Sequence, residues 1–141
     1  MTNQQLIDQI VGELLGLASP KIQEARQPQI RGFIESTVNG DTIDSYLVIN
    51  ANLGKERKGA LIYILTNVRL MKIEIDDKDM QSSSPSLNTI VNIDRKLVEG
   101  NRARIAIDFQ TVQFGLGYSA NNRKITEFFQ KVDLSRAQGK P

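Results

Sequence analysis

Between positions 59 and 76 the chain is apolar almost without interruption. Residues 60–65 and 68–75 form two runs rich in Leu, Ile, Val and Tyr that meet at Thr66-Asn67, and two such runs joined by a short polar break predict a buried β-hairpin. In the second run the apolar parity changes between Leu70 and Met71. A strand covered on both faces accommodates that change, and covering is the expectation. The other candidate strands alternate. Tyr46, Val48 and Asn50 alternate with Leu47, Ile49 and Ala51 over residues 45–51. Leu87, Thr89, Val91 and Ile93 share one parity in a strand reaching Val98. Ala103, Ile105, Ile107 and Phe109 alternate with Arg102, Arg104, Ala106 and Asp108, and Val112, Phe114, Leu116 and Tyr118 with Thr111, Gln113, Gly115 and Gly117. The last two read as half-buried antiparallel strands, with Glu99-Gly100-Asn101 as the turn before them.

Helical periodicity occupies the two ends. Over residues 4–18, Leu6, Ile7, Ile10, Val11, Leu14 and Leu15 make one wide apolar face. Ser19-Pro20 reads as a cap and first-turn proline, and a second interruption falls at Gln27-Pro28. From there Ile30, Phe33, Ile34 and Val38 share a face that ends at Asn39-Gly40-Asp41. Near the other end Ser119 reads as the cap of a helix whose stripe is Ile125, Phe128, Phe129 and Val132. Two stretches read as loops. Residues 52–59 read as a basic loop, and residues 77–86, DKDMQSSSPS, as an exposed mobile one. The tail over residues 135–141 reads as disordered.

Composition narrows the function classes. The 141 residues are 40% hydrophobic and 24% charged, enough for one domain with a core. Eighteen Lys and Arg against sixteen Asp and Glu leave a charge of +2, so nucleic acid is not an expected partner. Cys and His are both absent, which removes disulfides, thiolate nucleophiles, Cys/His zinc sites and the commonest general base. No catalytic residue, cofactor site, metal site or small-molecule substrate is predicted. The N-terminus lacks a basic n-region and carries Asp8 and Glu13 within its apolar part, so it reads as neither signal peptide nor membrane span, and a cytoplasmic protein is the plain expectation.

Short strands in a row closed by one amphipathic helix point to an α+β domain with a curved antiparallel sheet or open barrel. Residues 59–70, GALIYILTNVRL, resemble the "lTnkRl" hairpin of bacterial pleckstrin-homology-like domains and of the related GRAM domains. Residues 87–93, LNTIVNI, are similar to their "ipldkItsV" strand, and Glu127-Phe128-Phe129 matches the "eF" of their closing helix. The resemblance spans about residues 45–132. It implies seven antiparallel strands in two near-orthogonal sheets, a partly open barrel capped by the C-terminal helix. The domain then occupies residues 43–134, after a helical extension over residues 1–42. Trp is absent, whereas the closing helix of eukaryotic relatives usually carries one, so the bacterial branch is the nearer.

Candidate sites are few. Lys55, Arg57 and Lys58 lie in the loop between the first two strands, where phosphoinositide-binding relatives carry bases, and with Lys72 they form the one candidate anion or lipid site. Glu74, Asp76, Asp77 and Asp79 lack the glycine and distal glutamate of a calcium loop and read as a solvated strand end. Gly115-Leu116-Gly117 does not complete a phosphate-binding glycine motif, and its glycines read as bend or close-packing positions. Arg69 reads as holding carbonyls or a carboxylate at the hairpin end. The first helix bears no Lys or Arg on its polar face, so a membrane does not attract it. Its stripe of Leu6, Ile7, Ile10, Val11, Leu14 and Leu15 must be covered by the domain or by a second copy, and self-association into a homo-oligomer is the expectation. The functional expectation is a non-enzymatic protein-binding or scaffolding domain, with peripheral anionic-lipid binding as the alternative.

Overall fold

The computed structural model describes residues 1–17, 22–52 and 58–138. The chain forms two compact units, Met1–Ser84 and a second beginning at Pro85. Seven antiparallel strands lie in two sheets, one of four strands and one of three, with helices in both units. These are the strand count and the closing helix that the resemblance implies. Among the described residues no ladder joins the two sheets.

In the first unit, α1 (Asn3–Leu15) and α2 (Gln27–Val38) precede β1 (Ile43–Asn52), β2 (Lys58–Thr66), β3 (Leu70–Ile75) and β4 (Met80–Ser83), and the strands pair in that order. Thr2 starts α1 with a reciprocal cap, its hydroxyl accepting from the Gln5 amide while the Gln5 side chain accepts from Thr2. Two orphan donors of the first turn are thereby satisfied. The residues expected to start a helix at Ser19-Pro20 lie outside the described ones. Pro28 sits in the first turn of α2, where its missing N–H costs nothing. Asn39 and Gly40 end that helix with φ of 45° and 87°, the left-handed pair that its C-terminus requires.

β2 is the centre of this unit. The register places Ala60, Ile62 and Ile64 beside Ile75, Ile73 and Met71 on one face. That face shares a core with Ile7, Ile10, Val11 and Leu14 of α1 and with Ile30, Ile34 and Val38 of α2. The α1 stripe is therefore covered by the chain's own sheet and second helix, with Leu6 and Leu15 packed at its margin, and this coverage meets the physical demand that suggested a second copy. Leu61, Tyr63 and Leu65 alternate on the other face and are buried as well, as are both Leu70 and Met71. The parity change thus marks a strand buried on both sides.

Residues 77–86 depart from the expected loop. Met80–Ser83 is a fourth strand, pairing Ile75 with Met80 and Lys72 with Ser83. Asp76 makes the reversal, its Oδ1 accepting from the Lys78 amide at 2.8 Å and the Asp79 amide at 2.6 Å while its own N–H reaches the Asp79 carbonyl. This Asx turn closes the hairpin. Met80 supplies the apolar anchor, partly buried against the core.

The second unit contains a short 3₁₀ turn (Leu87–Thr89), β5 (Ile90–Val98), β6 (Arg102–Phe109), β7 (Gln113–Ser119) and α3 (Arg123–Gln138). β6 lies between β5 and β7. Its alternation is as expected, with Ala103, Ile105, Ile107 and Phe109 buried and Arg102 and Arg104 exposed. The expected parity of β5 fails. The 3₁₀ turn and a register shift between Ile90 and Asn92 re-aim the strand. Leu87 and Ile90 are buried and Val91 is 61% exposed. The cap of α3 is Asn122 rather than Ser119, since Asn122 Oδ1 accepts from the Ile125 amide at 3.1 Å and Ser119 is the last residue of β7. Ile125, Phe128, Phe129 and Val132 are all buried.

Two substitutions test this packing. Leu14 and Phe128 are 0% and 3% exposed, and truncating either to alanine is expected to cost about 2–5 kcal/mol in urea unfolding. A loss under about 1 kcal/mol at either site means that the side chain is not in a core. Deleting residues 1–17 is expected to unfold the first unit, and a truncated chain with intact cooperative unfolding overturns the assignment of α1 to that core.

Candidate binding site

The expected basic site falls only partly within the described residues. Lys55 and Arg57 lie outside them, and Lys58 opens β2. Lys72 pairs in register with Tyr63, five residues along β2 from Lys58 and so about 16 Å away along the strand. Its Nζ is 3.5 Å from Glu74 Oε1, which engages its charge.

The acidic run and Arg69 have structural partners. Glu74 accepts from the Gln81 side chain as well as from Lys72. Asp76 is 7% exposed rather than solvated, and its carbonyl accepts from Arg26 Nη1. Among the described residues no three acids gather at metal-binding distance. Arg69 Nε is 3.1 Å from Asp41 Oδ2, the carboxylate to which Thr66 Oγ1 donates, so this arginine holds a carboxylate at the hairpin end. Two tyrosines are shifted away from proton transfer near neutrality. Burial pushes the Tyr46 phenol up, reinforced by the hydrogen bond it donates to Glu13, and burial does the same to Tyr63, with the charge of Glu74 adding.

The unassigned chemistry lies on the second sheet. Its cross-strand rows place Val98 beside Arg102 and Ser119, then Lys96 beside Arg104 and Gly117, then Asp94 beside Ala106 and Gly115. Asp94 is held by Asn92 Nδ2 at 2.9 Å and Asp108 by Gln113 Nε2 at 2.6 Å. At the other end of the same face, Arg102 and Arg104 have no side-chain hydrogen bond or ion pair with any described residue. They line a cavity of about 350 Å³ together with Val98, Ala103, Gly117, Tyr118 and Ser119. The turn at this end reverses through Gly100 and Asn101, with φ of 82° and 58°, where glycine and asparagine carry the left-handed backbone most easily.

Sequence reading placed Arg102 and Arg104 on a wet face without marking them as a site. A register drawn from the Glu99-Gly100-Asn101 turn brings Lys96 opposite Arg104, and that was the available signal. The close-packing reading of Gly117 does not hold, because a Cβ built there meets nothing within 4 Å. A Cβ on Gly115 would reach only the Ile105 carbonyl, at 4.0 Å.

No family model matches the chain, and no curated protein matches it. Among solved structures it is similar to a pleckstrin homology domain from Shewanella amazonensis SB2B, with 13% identity over 77% of this chain and 98% of that one and a TM-score of 0.49. It is also similar to a DUF1696-family protein with a pleckstrin-homology domain from Shewanella loihica PV-4, with 12% identity over 76% and 90% of the two chains and a TM-score of 0.45. No described helix is long and apolar enough to cross a membrane.

Lys72 already faces Glu74, and the whole chain carries only +2. Flotation with phosphatidylserine or phosphoinositide vesicles at physiological salt is therefore expected to recover little protein. Firm flotation that the triple substitution Lys55→Ala/Arg57→Ala/Lys58→Ala abolishes is the result that makes lipid the better reading.

Proposed function

We propose that the chain is a non-enzymatic binding domain, pleckstrin-homology-like in its strand order and closing helix, that engages a protein partner along the edge of β5. The observation that carries this reading is the edge itself. β5 is nine residues long and among the described residues has a neighbouring strand on one side only; α3 reaches it at Val91, whose carbonyl accepts from Arg136 Nη2 at 3.4 Å, and Val91 and Leu97 are 61% and 69% exposed. An open strand edge offers unpaired N–H and C=O groups to an extended segment, and exposed apolar side chains give that segment something to cover. Asp94, Arg95 and Lys96 occupy the middle of the strand and are exposed. They discourage indiscriminate pairing, and they select a partner strand with a base opposite Asp94 and acids opposite Arg95 and Lys96. The non-enzymatic part rests on the residue types: without His or Cys, the most common bases and nucleophiles are missing.

Peptides selected from a displayed random library against the full chain test this reading. The expected binders are extended segments that protect from hydrogen exchange those amides within residues 92–97 that do not donate to β6 and lose affinity when Leu97 is replaced by Asp. Failure to select any binder, or binders that leave those amides unprotected, counts against it.

A further inference from the structure

We propose that the outer face of the second sheet carries an anion site, built by Arg102 and Arg104 over Gly117 with Lys96 in the adjoining position of the same cross-strand row, that takes the phosphate group of a small soluble molecule. This goes beyond the partner strand at the β5 edge, since it uses the face of the sheet rather than its border.

The first argument is charge. Lys96 and Arg104 are directly opposed across the β5–β6 ladder, and like charges in that position destabilise a sheet. Arg102 stands two residues from Arg104 on the same exposed parity. Asp94, two residues from Lys96, accepts from Asn92, and Asp108, further along β6, accepts from Gln113, and neither acid forms an ion pair with Lys96, Arg102 or Arg104. Glu99, in the adjoining turn, is the remaining acid near this end. Neither arginine has a side-chain partner among the described residues. A bound anion supplies the counter-charge that the fold leaves out.

Shape is the second argument. The row neighbour of Arg104 on β7 is Gly117, above which a Cβ would meet nothing within 4 Å. A side chain there would fill the floor of the trough, whereas glycine leaves the backbone open to close approach. The cavity of about 350 Å³ is of the size that holds a small ligand rather than a macromolecular surface.

The donor set then selects the ligand. Residues i and i+2 on a strand stand about 7 Å apart along it, so the two long side chains can reach one anion from neighbouring positions. A carboxylate is satisfied by a single guanidinium fork, while a phosphate monoester has three free oxygens and can take a fork from each arginine. Ser119, in the row of Arg102, accepts weakly from the Asn121 amide at 3.4 Å and keeps its hydroxyl proton to donate.

The test is a titration of the isotopically labelled full chain, followed by amide chemical shifts. Inorganic phosphate and glycerol phosphate are added at constant ionic strength against chloride, with phosphatidic acid vesicles as a separate arm. Saturable shifts are expected at Lys96, Arg102, Arg104, Gly117 and Ser119. Gly117→Val, which places a side chain in the trough at a strand position with ordinary φ, is expected to abolish them without lowering the thermal midpoint. The exposed substitutions Arg102→Gln and Arg104→Gln are each expected to weaken binding at least about tenfold, as for a hydrogen bond to a charged group. They carry the test should the valine variant fold poorly. Shifts that rise without saturation, that survive all three substitutions, or that appear only with the vesicles overturn the proposal. Because Leu97 does not line the cavity, Leu97→Asp is expected to leave phosphate binding intact, which separates this site from the peptide edge.

Discussion

The structure of the first unit depends on β2 being buried on both faces. A strand with one wet face needs a single partner layer, but Ala60, Ile62 and Ile64 point one way and Leu61, Tyr63 and Leu65 the other, all at 6% exposure or less. The first set is what α1 and α2 cover. The two N-terminal helices are accordingly part of what makes the central hairpin possible, because removing them returns a continuous aliphatic surface to water at about 25 cal/mol for each Å² exposed. The same requirement explains why α1 has no need of a cationic face. Its polar side chains serve local ties, Tyr46 to Glu13 and Gln9, and Arg31 to Asp8 and Gln4.

The hairpin motif that carries the family resemblance has a structural explanation of its own. Thr66 Oγ1 accepts from the amides of Val68 and Arg69 and donates to Asp41. Arg69 completes the same carboxylate, and Asn67 exchanges hydrogen bonds with Thr42. Asn3 at the start of α1 donates to the Asp41 carbonyl and accepts from the Ile43 amide. One short sequence thus fastens the hairpin to the α2–β1 connection and to the first turn of α1. Thr-Asn-x-Arg is what this junction requires of a tight turn beside a buried strand, so its presence speaks for architecture and is silent about ligands.

How far the chain could be read in advance follows from which physical signal each part emits. The stripe on α1, the two-faced hairpin, and the clean alternation of β6 are written in periodicity and were legible. β4 was not, because its stability comes from an Asx turn at Asp76 and a lone Met80 rather than from any alternation, and a polar four-residue edge strand looks like a loop. β5 misled for a related reason. Val91 continues the parity of Leu87 and Thr89 in sequence, but a 3₁₀ turn and a bulge intervene, and both act through backbone geometry that hydrophobicity does not encode. Ser119 and Asn122 are both good capping residues, and only the end of β7 decides between them. The cationic row escaped notice because its members lie on two strands and become neighbours only through the register of a turn.

The two sheets therefore differ in how much of their surface folding consumes. In the first unit every residue of β2 from Ala60 to Thr66 is buried, and packing dictates what stands there. On the outer face of the second sheet, packing dictates nothing: Lys96, Arg104 and Gly117 are exposed in one row, and a threonine or valine at any of them would be the better strand former. A row with two like charges and a glycine is a poor choice for stability on every local criterion. Local rules are broken most readily where a surface has another task, and in this chain the second sheet is where that breach is concentrated.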